Sequence, residues 1–133
     1  MAEQILVKDA MHPGVVSCDS STTVNEAARM MTTSQLRSLV VVDADCGLAG
    51  ILSQTDLVNA KLLNAESVDK GLTVGDIMTA RVLTISPNDT IEEAARIMIK
   101  HHIHRIVVAE PDDLCHPIGI LSMGDMMRFM MKD

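Results

Sequence analysis

The sequence has no tryptophan, no tyrosine and a single phenylalanine, Phe129. Stacking platforms for single-stranded nucleic acid are built from aromatic rings, so that mode of binding has nothing to rest on. Cations are also scarce: 11 Lys and Arg stand against 18 Asp and Glu, a net charge of −7. No run of Lys or Arg is present to track a phosphate backbone, and nucleic acid is set aside as a principal partner. There are only three cysteines, Cys18, Cys46 and Cys115, and no Cys-x-x-Cys pair. An odd, widely spaced set indicates neither a disulfide framework nor a zinc ribbon, so they read as reduced thiols. Long apolar runs are missing as well. Leu39-Val40-Val41-Val42 has the length and branching of a buried strand and falls far short of the roughly 18 residues of a membrane span. Lys8 and Asp9 interrupt the short apolar start, so no signal peptide is expected. The chain reads as a soluble, cytoplasmic protein with no membrane partner.

What is present, in 133 residues that are 47% hydrophobic, is a repeat. Sliding the chain by 67 positions places Val7 on Val74, Asp9 on Asp76, Met11 on Met78 and Val15 on Val82. The same shift brings Thr23 to Thr90, Glu26 to Glu93, Ala27-Ala28-Arg29 to Ala94-Ala95-Arg96, Met31 to Met98 and Val40-Val41 to Val107-Val108. Residues 7–43 contain 12 identities in 37 positions, well above the roughly 6–7% expected by chance from ordinary residue usage. Beyond a turn the shift becomes 69, and Gly50-Ile51-Leu52-Ser53 falls on Gly119-Ile120-Leu121-Ser122 with Asp56 on Asp125. Residues 1–63 and 74–133 are therefore read as two repeats, joined by a polar linker over 64–73. Neither buries much alone, so one joint module is expected.

Each repeat reads as β-α-β-β-α. A short capped turn (Val7 to Met11, Val74 to Met78) leads to a brief strand near Val15-Val16 or Val82-Leu83. Thr23-Val24-Asn25-Glu26 and Thr90-Ile91-Glu92-Glu93 have the spacing of a capping box, which opens a helix by satisfying orphan N–H groups. Val24, Ala27, Ala28 and Met31 then recur at helical spacing, as do Ile91, Ala94, Ala95 and Met98. Two strands follow near Ser38–Asp43 and Leu48–Leu52, joined by the turn Ala44–Gly47. Their counterparts lie near Arg105–Ala109 and Ile118–Leu121, and a closing helix follows Ser53 and Ser122.

Ser53-Gln54-Thr55-Asp56 and Ser122-Met123-Gly124-Asp125 each stand where a strand passes into a helix. Two readings compete. The exposed N–H groups and dipole of a helix start suit an anion, Ser can meet a phosphate oxygen, and Asp can accept from vicinal ribose hydroxyls. Gly50 and Gly119 would then let backbone approach the ligand. Alternatively Ser at N-cap with Asp at N3 is simply a helix cap, copied along with the duplication. In their order, these motifs resemble the cystathionine beta-synthase (CBS) domain pair, over nearly the whole chain from about Val7 to Met131. The resemblance implies two repeats packed through their sheets with pseudo-twofold symmetry, and adenosyl ligands (AMP, ADP, ATP or S-adenosylmethionine) in the clefts between them. It assigns ribose binding to Asp56 and Asp125 and the phosphate-facing hydroxyl to Ser53 and Ser122. Backbone near Val15, Val16, Val82 and Leu83 would lie beside the adenine.

His101-His102-Ile103-His104-Arg105 stands where the first copy has Arg37-Ser38. Metal binding, a solvated helix end and a phosphate-facing cluster are all open, with Arg37, His104 and Arg105 the ligand candidates. If histidines face phosphate, binding should strengthen on acidification. The stripe Met123, Met126, Met127, Met130 and Met131 is either core or an adaptable contact surface, and the resemblance makes a homodimer seam of it. Arg128 and Lys132 alone are too few cations for a membrane-surface helix. Cys115-His116 has no orienting partner, so no catalytic residue is assigned and no metal or other cofactor is required. The leading expectation is a regulatory sensor of adenosine nucleotides that signals to an unidentified effector protein. The alternative is a ligand-free dimerisation scaffold.

Overall fold

The computed structural model describes residues 4–43, 47–80, 82–114 and 116–131. Cys46, Cys115, Lys132 and most of the Ala44–Gly47 turn lie outside them. The chain runs α1 (Val7–Ala10), β1 (His12–Pro13), β2 (Ser17–Asp19), α2 (Val24–Ser34), β3 (Ser38–Val42), β4 (Leu48–Ser53) and α3 (Gln54–Asp69). It continues with α4 (Val74–Ile77), β5 (Thr84–Ile85), α5 (Ile91–Lys100), β6 (Arg105–Val108), β7 (Gly119–Ser122) and α6 (Met123–Met130). This is the expected α/β class, with two sheets. Among the described residues no helix is long and apolar enough to cross a membrane.

The chain divides into two compact units whose boundaries differ from those of the sequence repeats. One comprises Met1–Val15 with Leu83–Asp133, the other Val16–Val82. The segment that opens each repeat therefore belongs to the unit formed by the other repeat's sheet.

In the first unit the sheet order is β1-β7-β6-β5. β5 runs parallel to β6, β7 antiparallel to β6, and β1 antiparallel to β7 with His12 opposite Ile120 and Pro13 opposite Gly119. Ile85, Ile106, Val108 and Leu121 meet Val7 and Ala10 of α1, Met126 of α6 and Ile91, Ala94, Ala95 and Met98 of α5 in one core. The α5 stripe is buried as its periodicity predicts. α1 is held from both sides, since Val7 N–H donates to the Asp89 carbonyl and Ile91 N–H to that of Ile5.

In the second unit β2 is parallel and β4 antiparallel to β3. Cys18, Leu39, Val41 and Leu52 pack with Ala27 and Met31 of α2 and Val74 of α4, while Val24, Ala60 and Val68 form a smaller cluster between α2 and α3. Val24 is thus drawn from the expected stripe toward α3, and Ala28 is only half-buried. Thr79 exchanges both backbone hydrogen bonds with Ile51, at 3.0 Å each. That bridge is the counterpart of β1 on β7.

Several local expectations are corrected. The first strand of each repeat lies at 17–19 and 84–85, past Val15-Val16 and Val82-Leu83, because it pairs in register with Val40–Val42 and Val107-Val108. β1 was not anticipated. A two-residue strand has too little pattern to be recognised before its partner is known. Residues 64–69, read as the start of a linker, are the end of α3, which bends at Asn64 (φ −138°, ψ 40°) and runs on to Asp69. At the starts of α2 and α5 only half of each capping box forms: Thr23 and Thr90 Oγ1 accept from Glu26 and Glu93 N–H at 3.1 Å, and the Thr90 hydroxyl gives its proton to Glu93 instead of leaving the carboxylate to the backbone. The methionine stripe also divides. Met126 is buried and Met123 packs on the core with Phe129, whereas Met127, Met130 and Met131 are exposed.

Candidate functional site

Ser53 and Ser122 end β4 and β7 in extended backbone and become the N-caps of α3 and α6. Here the reciprocal box closes completely. Ser53 N–H donates to Asp56 Oδ2 at 2.8 Å and Asp56 N–H to Ser53 Oγ at 3.2 Å; the second copy repeats this at 2.9 and 3.1 Å between Ser122 and Asp125. The capping reading is therefore realised in both copies, and it leaves binding capacity over. A hydroxyl that accepts still has its proton to donate, and a carboxylate has about four lone-pair positions.

The strands that precede these turns bring the basic residues to them. The Arg37 carbonyl accepts from Gln54 N–H at 3.3 Å, and the His104 carbonyl from Met123 N–H at 2.9 Å. Arg37 and His104 thus stand at the N-termini of α3 and α6. Arg105 is the cross-strand partner of Ser122, as Ser38 is of Ser53, so each pair shares a sheet face. Arg37 and His104 are exposed and Arg105 is half-buried, and none of the three side chains forms an ion pair among the described residues. With the Gln54 and Met123 donors taken by these carbonyls and those of Asp56 and Asp125 by the caps, the free N–H of each helix start falls to Thr55 and Gly124.

The chain passes between units at Val15-Val16 and again at Val82-Leu83. In the second unit the Val16 carbonyl is bound to Val40 N–H, and in the first the Leu83 carbonyl to Val107 N–H. The role expected of Gly50 and Gly119 is corrected. A Cβ on Gly50 would lie 2.7 Å from the Thr79 carbonyl oxygen and 2.6 Å from Met78 Sδ; one on Gly119 would lie 2.7 Å from both the His12 carbonyl oxygen and Met11 Sδ. These glycines admit the opening segment of the other repeat, so close backbone approach is spent on the chain itself.

Sequence reasoning missed two residues. His12 Nε2 lies 3.0 Å from Asp125 Oδ1, and Arg128 donates to the same oxygen. Arg128 was findable, three residues beyond Asp125 on one helix face. His12 carried no signal, because β1 brings it from the far end of the chain. Among the described residues no group of three or more His, Cys, Asp or Glu is placed to hold a metal ion, and His101, His102 and His104 make no such cluster.

Each unit thus has a parallel–antiparallel sheet backed by helices and a Ser–Asp pair at the start of its last helix, repeated in tandem. That combination defines a class of paired β-α-β-β-α modules. The family model described as "CBS domain" matches residues 7–63 and 74–132, and the chain belongs to that family. It is 28% identical over 120 residues to the CBS domain-containing protein YhcV of Bacillus subtilis, covering 90% of this chain and 81% of that protein. It is 32% identical over 128 residues to a homoserine O-acetyltransferase of Methanosphaerula palustris, covering 96% of this chain but only 24% of the enzyme's length. Among solved structures, CBSX2 in complex with AMP matches with a TM-score of 0.76 and 27% identity, over 96% of both chains. The CBS domain pair of MJ0100, in complex with 5'-methylthioadenosine and S-adenosyl-L-methionine, matches at 0.82 and 26%, over 96% of this chain and 97% of that one.

Proposed function

We propose that this chain is a regulatory module that binds an adenosyl ligand (AMP, ADP, ATP or S-adenosylmethionine) and passes its occupancy to a partner protein. The observation that carries the reading is the duplicated Ser–Asp pair, each with a hydroxyl proton and some carboxylate acceptor capacity left, on a fold for which two solved relatives are complexes, one with AMP and one with 5'-methylthioadenosine and S-adenosyl-L-methionine. Asp56 and Asp125 accept from the ribose, Ser53 and Ser122 donate to the phosphate side, and Arg37, His104 and Arg105 supply positive charge there. Backbone of Val15, Val16, Val82 and Leu83 faces the base. The role is regulatory; the acetyltransferase's activity is not carried over, because the match spans only 24% of that enzyme's length. A ligand controls a partner only through unequal affinity for two conformations. The exposed Met127 and Met130 of α6, with Met131 at its C-terminal cap, supply the surface for a homodimer.

One observation favours the ligand-free scaffold instead: both Ser–Asp pairs already work as caps. A thermal-shift panel of AMP, ADP, ATP, S-adenosylmethionine and NAD, repeated on Asp56→Ala and Asp125→Ala, separates the two. At a hundredfold excess over Kd a ligand adds about 2.7 kcal/mol, worth on the order of 10 °C for a chain of this size. No shift with any adenosyl compound supports the scaffold. A shift that survives both substitutions refutes the site assignment.

A further inference from the structure

Asp56 and Asp125 hold equivalent places in the two copies, but their surroundings differ in charge. Asp125 is 1% exposed, whereas Asp56 is half-buried. Of the roughly four lone-pair positions on a carboxylate, three are engaged at Asp125: by Ser122 N–H on Oδ2, and by His12 Nε2 and the Arg128 guanidinium on Oδ1. The shift of 67 puts Thr79 where His12 stands, and the shift of 69 puts Asn59 where Arg128 stands. The backbone agrees, since Thr79 bridges Ile51 as His12 pairs with Ile120. Neither Thr79 nor Asn59 carries charge.

We infer that His12 and Arg128 are specificity-determining residues that hold Asp125 out of use, so that an adenosyl ligand fills the Asp56 site first. The inference rests on the ribose-binding reading of both carboxylates. A ribose diol is a neutral donor, whereas the Arg128 guanidinium binds the Asp125 carboxylate through an ion pair as well as a hydrogen bond, with His12 on the same oxygen. To bind Asp125 the diol must displace such bonds from a buried oxygen. At Asp56 the matching positions offer no cation to displace.

The test is isothermal titration with AMP as the probe. Wild-type protein should show one binding event per chain, and Asp56→Ala should remove it. His12→Thr with Arg128→Asn should add a second event within about tenfold of the first, and Asp125→Ala in that background should remove the second. Thr79→His with Asn59→Arg should weaken the first about tenfold. All four exchanged side chains are exposed, so the variants should fold, which a melting curve of each checks. Two equal events in the wild type, or a first event that survives Asp56→Ala, overturns the inference. So does an affinity lost with His12→Thr and Arg128→Asn, which would make those residues ligand contacts. The absence of binding in every chain, the His12→Thr/Arg128→Asn variant included, overturns the adenosyl reading itself and this inference with it.

Discussion

Gly119→Ala probes whether the duplicated Gly-Ile-Leu-Ser segment is shaped for a ligand or for the chain. The added methyl would sit 2.7 Å from the His12 carbonyl oxygen and 2.7 Å from Met11 Sδ. The sulfur ends a flexible side chain and can turn away. The carbonyl belongs to β1, whose residues pair with Gly119 and Ile120, so it moves only if that strand moves. Overpacking of this kind costs about 1–3 kcal/mol, and loosening β1 places Gly119→Ala near the middle, about 2 kcal/mol. For a chain of this length that lowers Tm by on the order of 6–8 °C. Gly47→Ala, with nothing within 4 Å of the new Cβ, is the control and should stay within about 0.5 kcal/mol of wild type. Urea denaturation without any ligand measures both, and amide exchange at His12 and Gly14 should quicken only in Gly119→Ala. Unchanged stability for Gly119→Ala in ligand-free protein would refute the reasoning, because the glycine would then serve something other than the chain.

Other outcomes follow from local geometry. Gln35 and His102 sit in the left-handed region at φ 53° and 55°, just past α2 and α5. Replacing either with Gly should stabilise by about 0.5–1 kcal/mol, read from denaturation midpoints, and destabilisation would contradict the assignment. Ser53→Ala and Ser122→Ala should each cost about 1 kcal/mol, with Ser122→Ala the larger because its partner Asp125 is buried; negligible losses by calorimetry would count against the caps, and equal losses against the effect of burial. Cys18 has its thiol pKa raised, mainly by burial and slightly by the Asp19 charge, with a Thr22 hydrogen bond acting the other way. The unfolded thiol therefore ionises first, so the contribution of Cys18 is complete below the usual thiol range and is lost as pH climbs through the raised value. Urea midpoints should fall between about pH 7.5 and pH 9.5, with Cys46 and Cys115 replaced by Ser. Cys18→Ala in that background should lose less, and an identical fall in both would exclude the thiol as the cause.

The sequence by itself determined the duplication and the longer elements of each copy, though not β1 or the register of β2 and β5. Helical periodicity placed α2 and α5 and β-branched runs placed β3 and β6, because burying one face against a core imposes a period on the residues. The Ser-x-x-Asp spacing located the helix starts, since a cap needs only three residues of contiguous chain. Tertiary structure alone decided which segment completes which unit. Val7 and Val74 are matching residues of the two repeats, yet Val7 is buried against Ile91 and its neighbours, and Val74 against Ala27 and Met31. A repeat pattern cannot distinguish packing within a copy from packing in exchange, because both bury the same apolar faces. The exchange also set the chemistry of the site, bringing the His12 imidazole to Asp125 and the Thr79 backbone to Ile51. Two segments with the same spacing thereby acquire different surroundings: Arg128 against Asn59 is a local difference in sequence, whereas the bearing of His12 on Asp125 exists only once long-range packing has joined β1 to β7.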